Sequence, residues 1–323
     1  MHDVRHTGAG EKRHASSERP AGQHIASAAA LSTAEQARAN RTGIIWMVVA
    51  MTAFIANDAM IKAIGERLPA AQIIVVRGVM AISLISLVAW RMGAMSRLPD
   101  VVRPWIIVRG ACEGLGTFIY LAALFHLPLA NVTAINQSSP LFIALLAMVF
   151  LKERVDAGRW IAIGIGFLGV LAVIQPRLDG FNVYAWMTLL ATLIYACRDL
   201  LTRKVPAATP SILVTLTTAS VVWLMACGML AVEGWTPMGA RDVGLLAIAA
   251  VFLSTGYYAS IAAMRQGEMS VVAPFRYVGL FWALLIGWFV WGDLPNVWGA
   301  IGIGLLIATG VYMIRHQRAA RRG

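Results

Sequence analysis

The sequence predicts an all-α integral membrane protein of ten transmembrane helices, arranged as two inverted five-helix repeats. Three observations carry this. Hydrophobic residues make up 59% of the 323 and charged residues 13%, with a mean hydropathy of +0.70, far outside soluble globular usage. From Gly43 onward, apolar runs follow one another almost without gap, each near the roughly 20 residues that a spanning helix needs. Finally, the stretch around Leu124–Arg154 returns 140 positions later, with Ala122-Ala123 on Ala262-Ala263, Val132 on Val272, Leu145 on Leu285, Glu153 on Asp293 and Gly164 on Gly304. That period is too long for a solenoid and fits the internal repeats of secondary transporters.

Taken in order, residues 1–41 are polar and mixed in charge and read as a disordered cytosolic tail; the run IASAAALS is too short and weak for a signal-peptide core. The spans follow at 43–64, 70–90, 104–126, 129–151, 157–175, 182–203, 211–232, 243–264, 270–291 and 296–314. The first repeat therefore occupies 42–175 and the second 182–315, with a basic cytosolic tail at 316–323. Trp90, Trp105, Trp160, Trp235 and Trp291 fall near helix ends, where an interfacial aromatic belt would place them.

Charge tests the count independently. Of the 27 Lys and Arg, 19 lie in segments on the N-terminal side of the bilayer, and only Arg67, Arg177 and Arg241 lie in loops on the other. The positive-inside rule then puts both termini in the cytoplasm. Five spans per repeat is an odd number, so the second copy enters the membrane inverted relative to the first.

Five basic residues remain inside spans, Lys62, Arg77, Arg109, Arg198 and Arg276, together with the acids Asp58, Glu113 and Asp199. Such charges cost several kcal/mol each in hydrocarbon, so they face a cavity or a partner. Depth groups Asp58 with Arg77 in the outer half, and Asp199 with Arg109 and Arg276 in the inner half. Fixed structural ion pairs are the alternative role for these groups. Lys62 and Arg198 are placed to snorkel to the interface, and Glu113, four residues after Arg109, to neutralise it.

The fourth span carries Asn131, Thr133, Asn136, Gln137, Ser138 and Ser139 ahead of Pro140, more hydrogen-bonding groups than helix packing requires. Its counterpart opens Val271-Val272-Ala273-Pro274-Phe275-Arg276-Tyr277. Both read as walls of a solvated cavity, with freed carbonyls near each proline. Asn136 and Arg276 occupy equivalent positions and form the leading pair of substrate contacts. The glycines of IAIGIGFLG and GAIGIGLLIATG read as close helix contacts, not a dinucleotide fingerprint, because no βαβ unit surrounds them. Cys112, Cys197 and Cys227 have no paired spacing, which argues against a disulfide or metal framework. The net charge of +11 sits in loops and tails, with no stacking surface for nucleic acid.

These residues resemble the drug/metabolite transporter superfamily, specifically its EamA-type ten-helix members, over about 43–315. The segment Ala134-Ile135-Asn136-Gln137-Ser138-Ser139-Pro140-Leu141-Phe142 through Leu151-Lys152-Glu153 resembles the fourth-helix signature, and Ala273-Pro274-Phe275-Arg276-Tyr277 the ninth-helix sequence of one subgroup. That subgroup also shares Asn57-Asp58, Arg77, Arg109-Gly110 and Asp199, and resembles bacterial S-adenosylmethionine uptake and riboflavin transporters. Asp293 replaces the commoner Glu at the end of the ninth helix. The resemblance implies two EamA repeats and a multi-pass protein of the bacterial inner membrane.

The expectation is a secondary carrier for a small polar, anionic or zwitterionic metabolite, cofactor-like or amino-acid-like, working by alternating access. No nucleotide-hydrolysis motif is visible, and no enzyme activity, cofactor or metal is expected; a homodimer is the assembly considered. Arg109 and Arg276 would bind a carboxylate or phosphate, Asn136, Gln137 and Tyr277 would orient the molecule, and Phe275, Phe281 and Trp282 would wall it. A carboxylate held by arginine is a poor proton carrier, so Asp58 and Asp199 are assigned to gating against Arg77 and the inner arginines, with proton coupling as the alternative. The rivals are a membrane enzyme, lacking the clustered groups catalysis needs, an assembly protein, and a flippase for lipid-linked substrates, which would need a groove open to lipid.

Overall fold

The computed structural model describes residues 21–101, 103–151, 157–175, 182–202, 205, 209–266 and 269–320. Every regular element among them is helical: α1 (Ala21–Gly65), α2 (Ala70–Arg91), α3 (Pro104–Leu124), α4 (Leu129–Asn136), α5 (Ser139–Leu151), α6 (Ala157–Ile174), α7 (Val183–Thr202), α8 (Ser211–Glu233), α9 (Ala240–Gln266), α10 (Met269–Val272), α11 (Val278–Trp291) and α12 (Val297–Ala320). Two 3₁₀ segments, Ala94–Val101 and Ala273–Tyr277, complete the chain. Prolines start several helices, with Pro69, Pro128 and Pro210 at the N-caps of α2, α4 and α8 and Pro104 at the head of α3. A proline there forfeits no helical hydrogen bond.

Among the described residues, seven segments are long and apolar enough to cross a bilayer: Glu35–Gly65, Ala70–Arg91, Pro104–Leu124, Leu129–Phe150, Ser211–Glu233, Ala240–Ala263 and Ala273–Trp291. The fifth and tenth expected spans appear as shorter apolar helices, Trp160–Ile174 and Val297–Tyr312. The sixth is α7, whose last turns carry Arg198 and Asp199. This is an all-helical, multi-pass membrane protein. Helix also occupies 21–41, where the sequence reads as a disordered tail; residues 1–20 lie outside the described residues, as do Lys152, Glu153, Arg154, Arg177, Arg203, Lys204 and the last three positions of the 316–323 tail.

Large side chains such as Phe150, Val232 and Phe289 are well exposed. On a soluble protein they would be aggregation patches; here they cover the surface offered to lipid. Ile61, Ile64, Ile73, Leu124, Leu129 and Ile135 are fully buried where α1, α2, α3 and α4 converge. Helix pairing is extensive: α1 with α9, α3 with α7, α2 with α8, α6 with α12, α3 with α8, α2 with α9, α5 with α7, α1 with α11, and α4 with α11. The glycine-rich helices behave as expected. A Cβ on Gly302 would stand 2.5 Å from the Gly169 carbonyl, and one on Gly169 3.0 Å from the Gly302 carbonyl, so α6 and α12 meet backbone to backbone.

One end of the bundle is tied by polar contacts between its connections. Gln72 and Thr236 exchange two hydrogen bonds (2.7 and 2.9 Å), Gln175 and Asn296 two more (2.6 and 2.7 Å), and Arg67 pairs with Asp242 at 2.6 Å. His126 stacks on Tyr184 with ring centroids 3.9 Å apart. Lys62 belongs to this end as well. It is buried, not snorkelling: its Nζ donates to the carbonyls of Leu124 (3.0 Å) and Leu127 (2.6 Å) and lies 5.5 Å from the Trp291 ring centre. A cation on the carbonyls left free at a helix C-terminus satisfies groups that would otherwise be buried unpaired. Trp291 is thereby taken out of the expected aromatic belt, while Trp90, Trp105, Trp160 and Trp235 are exposed as expected.

Candidate functional site

Both helices expected to wall a cavity are interrupted. The fourth span breaks at Gln137–Ser138, between α4 and α5, and its counterpart passes through the 3₁₀ segment Ala273–Tyr277 between α10 and α11. The cause is local: Pro140 and Pro274 cannot donate to the preceding turn, and the serine Oγ of Ser138 bonds back to the Ile135 carbonyl at 2.6 Å. The two breaks meet. Gln137 Nε2 donates to the Arg276 carbonyl at 2.8 Å, and α4 packs on α11.

Around this junction several polar groups stand without partners. The Arg276 guanidinium is half-buried and, among the described residues, has no hydrogen bond or ion pair. Asn136, 140 positions earlier in the sequence, is half-buried and its side chain likewise makes no hydrogen bond among the described residues. Thr133 Oγ1 and Trp282 Nε1 are buried and unsatisfied, an expensive condition in a dry interior. On the flank of the same break, Pro274, Phe275, Tyr277, Val278 and Phe281 line an open groove of about 310 Å³. A second cavity of about 210 Å³ lies between α2, α8 and α9, away from the junction, lined by Leu84, Ile85, Val88, Ile212, Ser254, Thr255 and Tyr258. The junction gathers more unpartnered polar groups than the second cavity, where Ser254 Oγ is buried and unsatisfied, and convergent polar groups, more than volume, mark a ligand site.

The charged residues form two clusters, drawn differently from the sequence grouping. In the first, Arg77 is buried on α2 and donates through Nη1 to Asn57 Oδ1 at 2.9 Å. Asn57 Nδ2 donates to Asp58 Oδ1 at 2.9 Å, and the Tyr120 hydroxyl donates to Asp58 Oδ2 at 2.9 Å. Asp58 and Arg77 therefore share a site, but an asparagine separates them.

In the second cluster Arg198 binds two carboxylates, Glu113 Oε2 at 2.7 Å and Asp199 Oδ1 at 2.7 Å. Its guanidinium lies 5.0 Å from the Tyr195 ring centre, a favourable face for a cation, and the Tyr257 hydroxyl approaches Glu113 at 3.4 Å. This corrects three expectations. Arg198 is half-buried and paired instead of snorkelling, and Glu113 serves Arg198, not Arg109. Asp199 joins neither Arg109 nor Arg276, because its own neighbour reaches it first. Arg109 instead donates to Thr202 Oγ1 at 2.8 Å and Thr218 Oγ1 at 2.6 Å. No contact joins Arg109 to Arg276 among the described residues.

Tyr120, Tyr195, Tyr257, Thr202 and Thr218 are the polar partners that sequence reasoning missed. A signal existed for Tyr120: Arg109, Glu113, Thr117 and Tyr120 recur at helical spacing on one face of α3, a polar stripe about 16 Å long at 1.5 Å per residue. Thr117 completes it, accepting from the Tyr195 hydroxyl at 3.4 Å.

Comparison with known proteins gives this arrangement a context. Residues 41–175 match the model of the EamA-like transporter family. The chain is 25% identical over 279 residues to the pseudopaline exporter of Pseudomonas aeruginosa, covering 86% of the chain and 98% of that protein. It is 27% identical to the riboflavin transporter of Brucella anthropi, covering 67% and 78% of the two chains. It is 24% identical to the S-adenosylmethionine uptake transporter of Rickettsia conorii, covering 86% and 94%. All three relatives are named as transporters, which supports a carrier and not an enzyme. A solved structure superposes with a TM-score of 0.59 over 88% of the chain and 99% of its own at 16% identity; at that identity it speaks for the fold alone.

Proposed function

We propose that the chain is a secondary carrier of the bacterial inner membrane that moves a small polar, anionic or zwitterionic metabolite, cofactor-like or amino-acid-like, by alternating access. The reading takes ten spans, as two inverted EamA repeats at 42–175 and 182–315, with both termini cytoplasmic. Support comes from the helix pairings. Exchanging the first five spans with the second five carries α1·α9 onto α7·α3, α2·α9 onto α8·α3 and α5·α7 onto α11·α1, and leaves α2·α8 and α6·α12 in place. Two interrupted helices meeting at the repeat interface are the arrangement in which inverted-repeat transporters build sites.

The observation that carries the function is the Arg276 guanidinium, partly buried and unpartnered beside Gln137. A guanidinium held away from water needs an anion, and a substrate carboxylate or phosphate supplies one through charge-assisted hydrogen bonds. In this reading Asn136, Gln137 and Tyr277 orient the substrate, Arg109 assists from the threonine pair, and the two charged clusters serve gating or coupling. Bound substrate would also satisfy Thr133 and Trp282.

The test is counterflow in proteoliposomes with labelled riboflavin, S-adenosylmethionine, amino acids and dicarboxylates. Exchange of at least one compound, saturable and absent from protein-free vesicles, is the expected result; exchange of none contradicts the reading. A flippase for a lipid-linked substrate is the second reading, favoured by the groove open beside the well-exposed Phe281. Movement of a labelled lipid-linked sugar, without exchange of any soluble compound, would select it.

A further inference from the structure

We propose that Asp58 is the carboxyl that binds the coupling proton, so that transport is driven by a proton gradient; this rests on the carrier reading above. The argument is a comparison of what each intramembrane carboxylate would lose on protonation. Glu113 and Asp199 each hold Arg198 directly at 2.7 Å, and a proton on either weakens an ion pair in a dry interior. Asp58 has no such pair. Among the described residues no lysine or arginine nitrogen reaches its carboxylate, which is held by two neutral donors, Asn57 and Tyr120.

Arg77 keeps its bond to Asn57 Oδ1 whether or not Asp58 is charged. The proton comes from water on one side of the membrane, sits on a carboxylate oxygen and returns to water on the other. While the proton is bound, the carboxyl O–H can donate a hydrogen bond to the Tyr120 phenol oxygen, which can accept as well as donate. Nothing else is consumed. Buried carboxyls within spans commonly serve as such relays.

The surroundings of Asp58 contain no stronger competitor. From α2 the facing charge is Arg77, from α3 Tyr120, and beyond it from α7 Tyr195, whose ring centre is 6.3 Å from that of Tyr120. From α9 comes Tyr257, engaged with Glu113. The 3₁₀ segment that packs on α1 contributes Arg276 and Tyr277, and α4, α10 and α11 contribute no titratable side chain. Lys62, one turn along α1, is committed to the Leu124 and Leu127 carbonyls.

The test is infrared titration of the purified full chain from about pH 8 to about pH 5, a window above the ordinary carboxylate range. A protonated-carboxyl C=O band is expected to grow in wild type and in Glu113→Gln and to be missing in Asp58→Asn. Tyr120→Phe, which keeps the carboxyl and deletes one donor, is expected to move the midpoint, which covers the case in which Asp58→Asn fails to fold. A band that persists in Asp58→Asn, or one unmoved by Tyr120→Phe, overturns the proposal. In vesicles, whichever of riboflavin, S-adenosylmethionine, glutamate or succinate exchanges is expected to be concentrated by a pH gradient in wild type and only equilibrated by Asp58→Asn; concentration by the variant also overturns it. If none exchanges, the carrier reading fails while the infrared band still decides on Asp58.

Discussion

The two charged clusters of this membrane interior solve one problem in opposite ways. Around Arg198 the chain pairs charge with charge, one guanidinium against two carboxylates at 2.7 Å. Around Arg77 it keeps charges apart and inserts Asn57, so that Asp58 is held by neutral donors. Under the proposed repeat Asp58 and Asp199 are near-equivalent, 141 positions apart, and the neighbour of each decides its fate: Asn57 beside one, Arg198 beside the other. Direct pairing favours rigidity, and the neutral bridge lets Asp58 change charge without breaking a hydrogen bond to a cation, since Arg77 bonds to Asn57.

That difference can be broken experimentally. Arg198→Ala is expected to have the largest effect, because it leaves the buried Glu113 without a cation and the half-buried Asp199 unpaired; a loss of about 3–5 kcal/mol is the upper scale, that of breaking a fully buried pair. Thermal unfolding in detergent should show a clear drop, with transport lost. Tyr120→Phe removes a single hydrogen bond to a carboxylate, on the order of 1.5–3 kcal/mol, and should lower the melting temperature by less. Asp58→Asn keeps an acceptor for Tyr120 and should cost under about 1 kcal/mol, within the range of near-isosteric changes. If Asp58→Asn proved as damaging as Arg198→Ala, the two clusters would not differ as described.

Arg67→Ala is expected to have the smallest effect. The Arg67 side chain is 55% exposed in its pair with Asp242, so the contribution should stay below about 1 kcal/mol and fade with salt. Melting curves at low and high salt check this; the Arg198–Glu113 pair, 20% and 9% exposed, should respond less.

The sequence made the helical membrane architecture legible because hydropathy and loop charge read directly on bilayer physics. It also marked the prolines beside which the helices are interrupted, Pro140 and Pro274, although both spans read as continuous; a proline removes a backbone hydrogen bond and can kink or break a helix. What stayed hidden was the pairing of side chains across helices. Depth alone grouped Asp199 with Arg109 and Arg276, yet depth does not give azimuth, and only the packing of α3 on α7 shows that Glu113 meets Arg198. Lys62 was obscured for the same reason: a long side chain near a helix end reads as a snorkel until the free carbonyls of Leu124 and Leu127 are seen beside it. The helical start at Ala21, within a segment polar enough to read as coil, follows the Ala-rich run IASAAALSTAEQARA, whose intrinsic propensity outweighed its lack of an apolar face.

The central claim is that the interrupted-helix junction, not the ion-paired cluster, receives the substrate. Its most direct test is counterflow of the exchanging compound by wild type, Arg276→Ala and Arg109→Ala, each verified as folded by gel filtration. Loss of one charge-assisted contact of about 1.5–3 kcal/mol predicts that Arg276→Ala weakens apparent affinity by roughly one to two orders of magnitude, and that Arg109→Ala weakens it less. Unchanged transport by Arg276→Ala would make that arginine structural and contradict the account.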